Sequence, residues 1–235
     1  MTPPYPRVLI VGVGLLGGSL GLALKARGMA QHVVGVGRRT ASLDTARAAG
    51  AIDEASLDLA DACADCALAL VCTPAAQARH DLDTLRAHLP AEAIVTDVAS
   101  TKAALCAHAA ATWPAPRRFV GSHPMAGSEK WGPEHAHADF YAGSICLVEE
   151  APGLDPHAAR AVHALWHAVG ARVVPIDPAQ HDDLLARTSH VPHVAAAALA
   201  VVAGRGGDVR HLAGNGLRDT PRIAGGRPEL WRDIC

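Results

Sequence analysis

The sequence lacks an excess of charge of either sign. Its 235 residues contain 21 Lys and Arg against 23 Asp and Glu, which gives a formal net charge of −2. A protein that holds nucleic acid or an anionic membrane by electrostatic attraction needs a positive field, and this composition supplies none. We therefore expect neither nucleic acid nor a membrane as a partner.

Long apolar runs and a disulfide framework are missing as well. Glycines interrupt the apolar segment near the N-terminus, so it resembles neither a signal peptide nor a membrane span. The six cysteines are scattered, and the CxxC of Cys63 and Cys66 has no second ligand pair. We expect a cytoplasmic protein with free thiols, in which these two are ordinary helical cysteines.

Half of the residues are apolar and 19% are charged, a balance typical of a folded globular protein. Short apolar runs alternate with helical patterns, which favours one parallel sheet covered by helices. The predicted strands are residues 7–12, 32–37, 67–72, 93–97, 118–122, 144–148 and 172–176.

Helix signals are clear between these strands. The helix from Leu15 ends at Gly28, and Asp155-Pro156 and Asp177-Pro178 each supply an N-cap acid followed by proline. Strand signals stop after Ile176, and residues 177–203 are predicted to be helical. The fold class is therefore α/β: a Rossmann-like, doubly wound, mainly parallel sheet (residues 1–176) followed by a small all-helical domain (177–235).

A GxGxxG motif lies between the first strand and the first helix, the context in which it binds a dinucleotide. Gly12 permits a tight turn, Gly14 admits the pyrophosphate and Gly17 allows close packing, while Leu15 and Leu16 begin the helix that faces the phosphate charge. The alternative is a glycine-rich turn that binds nothing.

The second strand ends without the acid that selects NAD. Arg38 and Arg39 stand there instead, and two guanidinium groups suit the 2′-phosphate of NADP, so we favour NADP over NAD. A solvated arginine pair is the alternative. Thr73 and Pro74 follow the third predicted strand and are expected to form a wall of the cofactor site.

Two polar clusters follow the next two strands, where ligands of such sheets collect. They are residues 97–102 and 121–129. His123, between Ser122 and Pro124, is placed to accept a proton from an alcohol while hydride leaves the same carbon, so it is the candidate general base.

The helical region and the tail add further candidates. His190 and His193 are three residues apart, but no third ligand accompanies them, so we predict no metal site. Arg222 lies among glycines and prolines, where a guanidinium can bind a carboxylate. A surface arginine is the equal alternative on spacing alone.

Taken together, these motifs resemble the prephenate/arogenate (cyclohexadienyl) dehydrogenases of tyrosine biosynthesis. The resemblance covers nearly the whole chain and is specific in its order and spacing. It rests on GVGLLGGS (12–19), VCTP (71–74), DVASTK (97–102), GSHPMAGSE (121–129), HD (181–182), SHVPH (189–193) and LRDTPRIAGGRPELWRDI (217–234).

The resemblance implies an NAD(P)-dependent oxidative decarboxylation of prephenate or arogenate. It implies a catalytic His123 assisted by Ser100, which also lies at the cofactor. The substrate contacts that it implies are His190, His193, Glu129, Asp182, Asp219, Arg222 and Trp231. It also implies a homodimer, provided that the C-terminal segment suffices.

Family members usually continue beyond the element that ends this chain at Cys235, which leads us to expect a shortened second domain. Two other functions stay open: a non-catalytic, truncated NADP-binding paralogue, and a β-hydroxyacid-type dehydrogenase. The latter usually has a catalytic lysine on a helix of its second domain, whereas no lysine follows Lys130 here.

Overall fold

A six-stranded parallel sheet forms the centre of the fold. The structure, a computed structural model, describes residues 4–128, 130–205, 207, 211, 214–220, 224 and 231. The strands are β1 (Tyr5–Val11), β2 (Ala30–Val36), β3 (Glu54–Ser56), β4 (Leu68–Val71), β5 (Ile94–Asp97) and β6 (Phe119–Val120). Their spatial order is β3-β2-β1-β4-β5-β6, so the strand order reverses between β1 and β4.

Helices cover both faces of this sheet. The α-helices in the described part of the chain are α1 (Leu15–Ala26), α2 (Thr40–Ala48), α3 (Leu59–Ala62), α4 (Ala75–His88), α5 (Ala103–Thr112), α6 (Pro156–Ala168), α7 (Pro178–Leu185), α8 (Val191–Ala203) and α9 (Asn215–Asp219). Apolar side chains of β1 alternate between two buried clusters, one with α1, α2 and α6 and the other with α3, α4 and α5. The predicted doubly wound architecture is confirmed.

A second, three-stranded sheet follows, which the sequence did not predict. It consists of β7 (Ser122–Pro124), β8 (Ile145–Glu149) and β9 (Arg172–Ile176), with β7 antiparallel and β9 parallel to β8. The prediction of one seven-stranded sheet was therefore wrong. The run at 118–122 divides at Gly121, where a Cβ would lie 2.6 Å from Cys106 Sγ, and the last two predicted strands belong to the small sheet.

The short edge strand β3 was also missed. Its three residues are exposed or half-buried and carry no apolar run, so only its pairing with β2 defines it as a strand. The sequence signal for a strand is apolar patterning, which such a segment lacks.

The predicted helix caps are confirmed. The Asp155 carboxylate accepts hydrogen bonds from the N–H groups of His157 and Ala158 at the start of α6. Gly28 takes a positive φ of 63° directly after Arg27, the C-cap of α1, as a helix-ending glycine does. The predicted helix over 177–203 is present as α7 and α8, joined by a π-helical turn at Ala186–His190.

The CxxC cysteines are buried free thiols. Cys63 donates to the carbonyl oxygen of Leu59 and Cys66 to that of Ala62. Burial raises the pKa of Cys63 to about 12, so neither a reactive thiolate nor a redox pair is favoured here.

Gly21 allows α1 to lie against the loop that precedes β3. A Cβ at this position would overlap the carbonyl oxygen of Ala51 and lie 3.2 Å from Ile10 Cδ1. Close packing of α1 on the sheet thus depends on the absence of a side chain at a position that no sequence motif marks.

We expect Gly21→Ala to lower the free energy of unfolding by about 1–3 kcal/mol, because overpacking outweighs the gain in helix propensity. Thermal melting checks this, with Gly216→Ala in α9 as the matched control, since a Cβ there would have no atom of the described residues within 4 Å. A Gly21→Ala protein as stable as the wild type would contradict this packing.

Candidate active site

The carboxyl ends of three neighbouring strands lie level with one another. The N–H of Cys72, just after β4, donates to Val11 O of β1 at 2.7 Å. The N–H of Val98, just after β5, donates to Val71 O of β4 at 3.1 Å. The glycine loop after β1 and the polar loops after β4 and β5 therefore follow one another along one edge of the sheet.

A cleft of about 520 Å³ opens where the strand order reverses, the position at which such sheets bind dinucleotides. Gly12 lies there with a φ of 93°, and a Cβ on it would be 2.8 Å from the Cys72 backbone. A Cβ on Gly17 would overlap the Gly12 carbonyl oxygen. These two glycines are therefore needed for the local fold of the loop.

Gly14 differs, because no atom of the described residues lies within 4 Å of its Cβ position while its backbone lines the cleft. The space that a side chain would fill is thus open to a ligand. Gly14 is the N-cap of α1, and the first N–H groups of a helix, here those of Leu15 and Leu16, have no intrahelical acceptor. Both leucine side chains pack towards the core, so only their backbone can face a phosphate.

Arg38 and Arg39 are exposed and line the same cleft, together with Ser42 at the start of α2. Each guanidinium carries a fork of donors that suits a phosphate. The structure thus brings the predicted arginine pair and the glycine loop to one cleft.

Thr73 and Pro74 form part of the opposite wall, with an acid that the sequence analysis missed. Asp81 of α4 is 5% exposed, and its carboxylate accepts hydrogen bonds from Thr73 Oγ1 at 2.5 Å and Gln77 Nε2 at 3.0 Å. This network fixes the loop after β4. Its signal in the sequence is only an acid one helical turn after Gln77, which is common on helix surfaces.

His123 lies in β7 itself, one residue beyond the point where the sequence placed the strand end, and it is 8% exposed. Burial lowers the pKa of His123 well below its ordinary 6.5. The Lys102 ammonium acts in the same direction, as do His181 and His190, whereas the Asp182 carboxylate opposes them. His123 is therefore neutral at neutral pH.

A buried ion pair supports the loop next to His123. Asp97, the last residue of β5, is fully buried and pairs with the Lys102 ammonium, which is 2% exposed. The Asp97 carboxylate also accepts the N–H groups of Ala99 and Ser122, each at 2.9 Å. Since Ser122 precedes His123, Asp97 holds the end of β5 and the start of β7 together.

A hydrogen-bonded chain runs from His123 into the C-terminal helices. His123 Nδ1 lies 2.9 Å from His181 Nε2, and His181 Nδ1 lies 2.7 Å from Asp182 Oδ1. The Asp182 carboxylate also accepts the N–H groups of Lys102 at 2.7 Å and Ala103 at 2.9 Å, which begin α5. The sequence analysis named His181 only as part of the HD motif and gave it no role. The Asp182 carboxylate accepts hydrogen bonds from His181, Lys102 and Ala103.

The remaining predicted residues are placed as follows. Ser100 is half-buried in the loop after β5 and makes no side-chain hydrogen bond within the described chain. The His193 ring is 6% exposed and stacks on Trp231, with centroids 3.3 Å apart, and His190 meets the edge of the same indole at 6.1 Å. His193 Nδ1 is buried and has no partner in the described part of the chain.

Three further predicted residues have no contact with this cluster among the described residues. Asp219 ends α9, is exposed, and its carboxylate has no hydrogen-bond partner among the described residues. Glu129 and Arg222 lie outside the described residues. Within residues 4–128, 130–205 and the described positions beyond them, no group of three or more His, Cys, Asp or Glu is arranged to hold a metal ion.

The sheet order, the glycine loop and the cleft at the strand reversal define a dinucleotide-binding protein of the Rossmann class. Comparison with known families is more specific. The model described as prephenate dehydrogenase, nucleotide-binding domain, matches residues 20–175, and that described as prephenate dehydrogenase, dimerization domain, matches residues 177–235. The chain belongs to the prephenate dehydrogenase family.

Individual proteins similar to this chain support the same family assignment. A prephenate dehydrogenase of Bacillus subtilis (strain 168) is 31% identical over 233 residues, which are 97% of this chain and 62% of that protein. The crystal structure of prephenate dehydrogenase from A. aeolicus with hydroxyphenyl propionate and NAD+ matches with a TM-score of 0.90 and 31% identity, over 97% of this chain and 81% of that one. Synechocystis arogenate dehydrogenase matches with a TM-score of 0.81 and 31% identity, over 97% and 82%.

No helix in the described part of the chain is both long and apolar enough to cross a membrane.

We expect Gly14→Ala to raise the dissociation constants of NAD and NADP at least about tenfold, because the methyl group enters the space that the phosphates need. Calorimetric titration measures this. The melting temperature of the cofactor-free protein should not change, since no atom of the described residues contacts the new Cβ. Unaltered binding of both would show that the cofactor does not approach this loop.

Proposed function

We propose that this chain is an NAD(P)-dependent prephenate or arogenate dehydrogenase, which oxidatively decarboxylates a cyclohexadienyl substrate to 4-hydroxyphenylpyruvate or tyrosine. One observation carries the proposal: a buried, neutral histidine at the carboxyl edge of a dinucleotide-binding sheet, in a chain of this family. The chain spans 62% of the Bacillus subtilis relative, and the activity of the whole relative is therefore part of the proposal.

His123 is the general base. It accepts the proton of the ring hydroxyl as the carbon that bears this hydroxyl loses a hydride. The bound nicotinamide supplies the hydride acceptor. The ring carboxylate leaves as CO2, its bonding electrons complete the aromatic ring, and the resulting phenolate oxygen takes the proton back from His123. Since aromatisation drives the reaction, the protein has to position the ring and hold one proton until the product forms.

Ser100 assists His123 from the neighbouring loop, where its hydroxyl is free to hydrogen-bond the substrate or the cofactor. The substrate ring lies near the packed rings of His190, His193 and Trp231. The unpartnered Nδ1 of buried His193 supports this placement, because a buried polar atom needs a hydrogen-bond partner. From the family resemblance we carry over Arg222 as the group that binds a substrate carboxylate, and Glu129 and Asp219 as further substrate contacts.

The preferred cofactor is NADP, held in the cleft with its 2′-phosphate on Arg38 and Arg39. Residues 1–176 form the cofactor domain and residues 177–235 the substrate and dimerisation domain. The exposed valines of α8 support a homodimer through this second part, because they form an apolar surface that association would bury.

We expect His123→Asn to lower kcat by about 10²-fold or more, because the proton acceptor is lost, while KM changes little. Steady-state kinetics with the favoured substrate and cofactor measures both constants. A near-normal kcat would remove His123 from the mechanism.

The pH profile of the wild type adds an independent check. A base must be unprotonated to act, and the pKa of His123 is lowered below 6.5. The kcat/KM value should therefore stay level as the pH falls to 6.5 and decline only at lower pH.

We expect the double variant Arg38→Gln, Arg39→Gln to bind NADP about 10- to 100-fold more weakly and NAD about as well as the wild type, since charge-assisted contacts to one phosphate are lost. Fluorescence titration of both cofactors measures the ratio. Equal weakening for NAD and NADP would place these arginines away from the 2′-position.

A further inference from the structure

The hydrogen-bonded chain from Asp182 to His123 determines which nitrogen of the base carries a proton. We propose that Asp182 and His181 are positioning residues that hold neutral His123 with Nδ1 protonated and Nε2 free to accept the substrate proton. The inference rests on the proposed role of His123 and assigns to Asp182 a role other than substrate contact.

The direction of the chain follows from its acidic end. An ionised carboxylate only accepts hydrogen bonds, so the 2.7 Å contact between His181 Nδ1 and Asp182 Oδ1 requires a proton on Nδ1. Neutral His181 then has an acceptor at Nε2. The 2.9 Å contact with His123 Nδ1 therefore requires a proton on that nitrogen, which leaves His123 Nε2 bare.

Asp182 is held in the ionised form. Hydrogen bonds lower the pKa of the Asp182 carboxyl against the opposing effect of its burial, and their donors are His181 and the N–H groups of Lys102 and Ala103. His181 has no exposed surface, and its two ring nitrogens contact His123 and Asp182.

The same contacts join the helical region to the cofactor domain. Asp182 lies on α7, whereas the N–H groups that it accepts begin α5, next to the buried Asp97 and Lys102 pair. The base is therefore complete only when α7 is docked against α5. If α7 moved away from α5, His123 Nδ1 would lose its acceptor, His181 Nε2, and the position of the His123 proton would no longer be fixed.

The tautomer can be observed directly by ¹⁵N NMR of histidine-labelled full-length protein near neutral pH, where His123 is neutral. The chain has 14 histidines, so the spectrum of His123→Asn identifies the signals of His123. We expect a protonated Nδ1 and a bare Nε2. A protonated Nε2 on His123, or a doubly protonated His181, would overturn the proposal.

Asp182→Asn tests the chain at its acidic end. Asp182 Oδ1 accepts from both His181 Nδ1 and the N–H of Lys102. An amide nitrogen in its place can donate to His181 Nδ1, which reverses each hydrogen bond and puts the proton of His123 on Nε2, but it leaves the N–H of Lys102 without its acceptor. The asparagine oxygen still accepts from the N–H of Ala103, so we expect a lower melting temperature and an unchanged substrate KM. We expect kcat to fall by about 10²- to 10⁴-fold, the range of such a tautomer error. An unaltered kcat, or an unaltered His123 spectrum, would contradict the proposal.

The matched control is Asp183→Asn, because Asp183 is adjacent and exposed, and its one ion pair among the described residues is with Arg187 of the same helical segment. It should leave kcat and the His123 spectrum unchanged. His181→Gln and His181→Leu provide a second pair if Asp182→Asn does not fold. A glutamine oxygen can accept from His123 Nδ1, so His181→Gln should retain more kcat than His181→Leu, and equal loss in both would count against the proposal.

A pH profile separates this role from a purely structural one. Among the described residues, the charged or titratable groups that act on His123 are Lys102, His181, Asp182 and His190. The Asp182 charge raises the pKa of His123, so its removal should move the acid limb of kcat/KM to lower pH. The NMR result does not depend on turnover: a bare Nε2 in a protein that turns over neither substrate would reject the proposed function and leave the tautomer assignment standing.

Discussion

The buried Asp97 carboxylate is the constraint on which the catalytic edge of the sheet depends. Burying a carboxylate without partners is costly, and here one side chain satisfies the Lys102 ammonium and two backbone N–H groups. These partners belong to the loop after β5 and to the start of β7. Asp97 therefore determines where the large sheet ends and where the strand of His123 begins.

Lys102 extends this constraint to the C-terminal helices. Its ammonium belongs to the Asp97 pair, while its backbone N–H donates to Asp182 of α7. The residue thus stands between the end of β5 and the carboxylate that directs His181. Its charge also lowers the pKa of His123 and favours the neutral imidazole that a general base requires.

Local signals in the sequence predicted much of the fold. The glycine motif, the helix caps and the apolar strands each depend on neighbouring residues, and the structure contains them. The second sheet could not be predicted in this way, because the break at Gly121 depends on the approach of Cys106 from α5. The edge strand β3 carries no apolar pattern, so only its partner β2 reveals it.

The residues of the candidate site also differ in whether the local sequence could predict them. His123 stood out because a histidine between a serine and a proline followed a strand, and the arginines stood out because an expected acid was missing. The contacts of Asp81, of the Asp97 and Lys102 pair and of His181 join residues distant in the chain or turned inward on a helix. The sequence alone does not show that such residues are close to one another in the folded chain.

Formation of reduced cofactor by the purified chain tests the central claim most directly, with prephenate and arogenate each combined with NAD and NADP. We predict turnover of at least one of the two substrates, faster with NADP than with NAD. If all four combinations are silent although NADP binds, the chain binds the cofactor without catalysing this reaction, and its likeness to these dehydrogenases reflects ancestry alone.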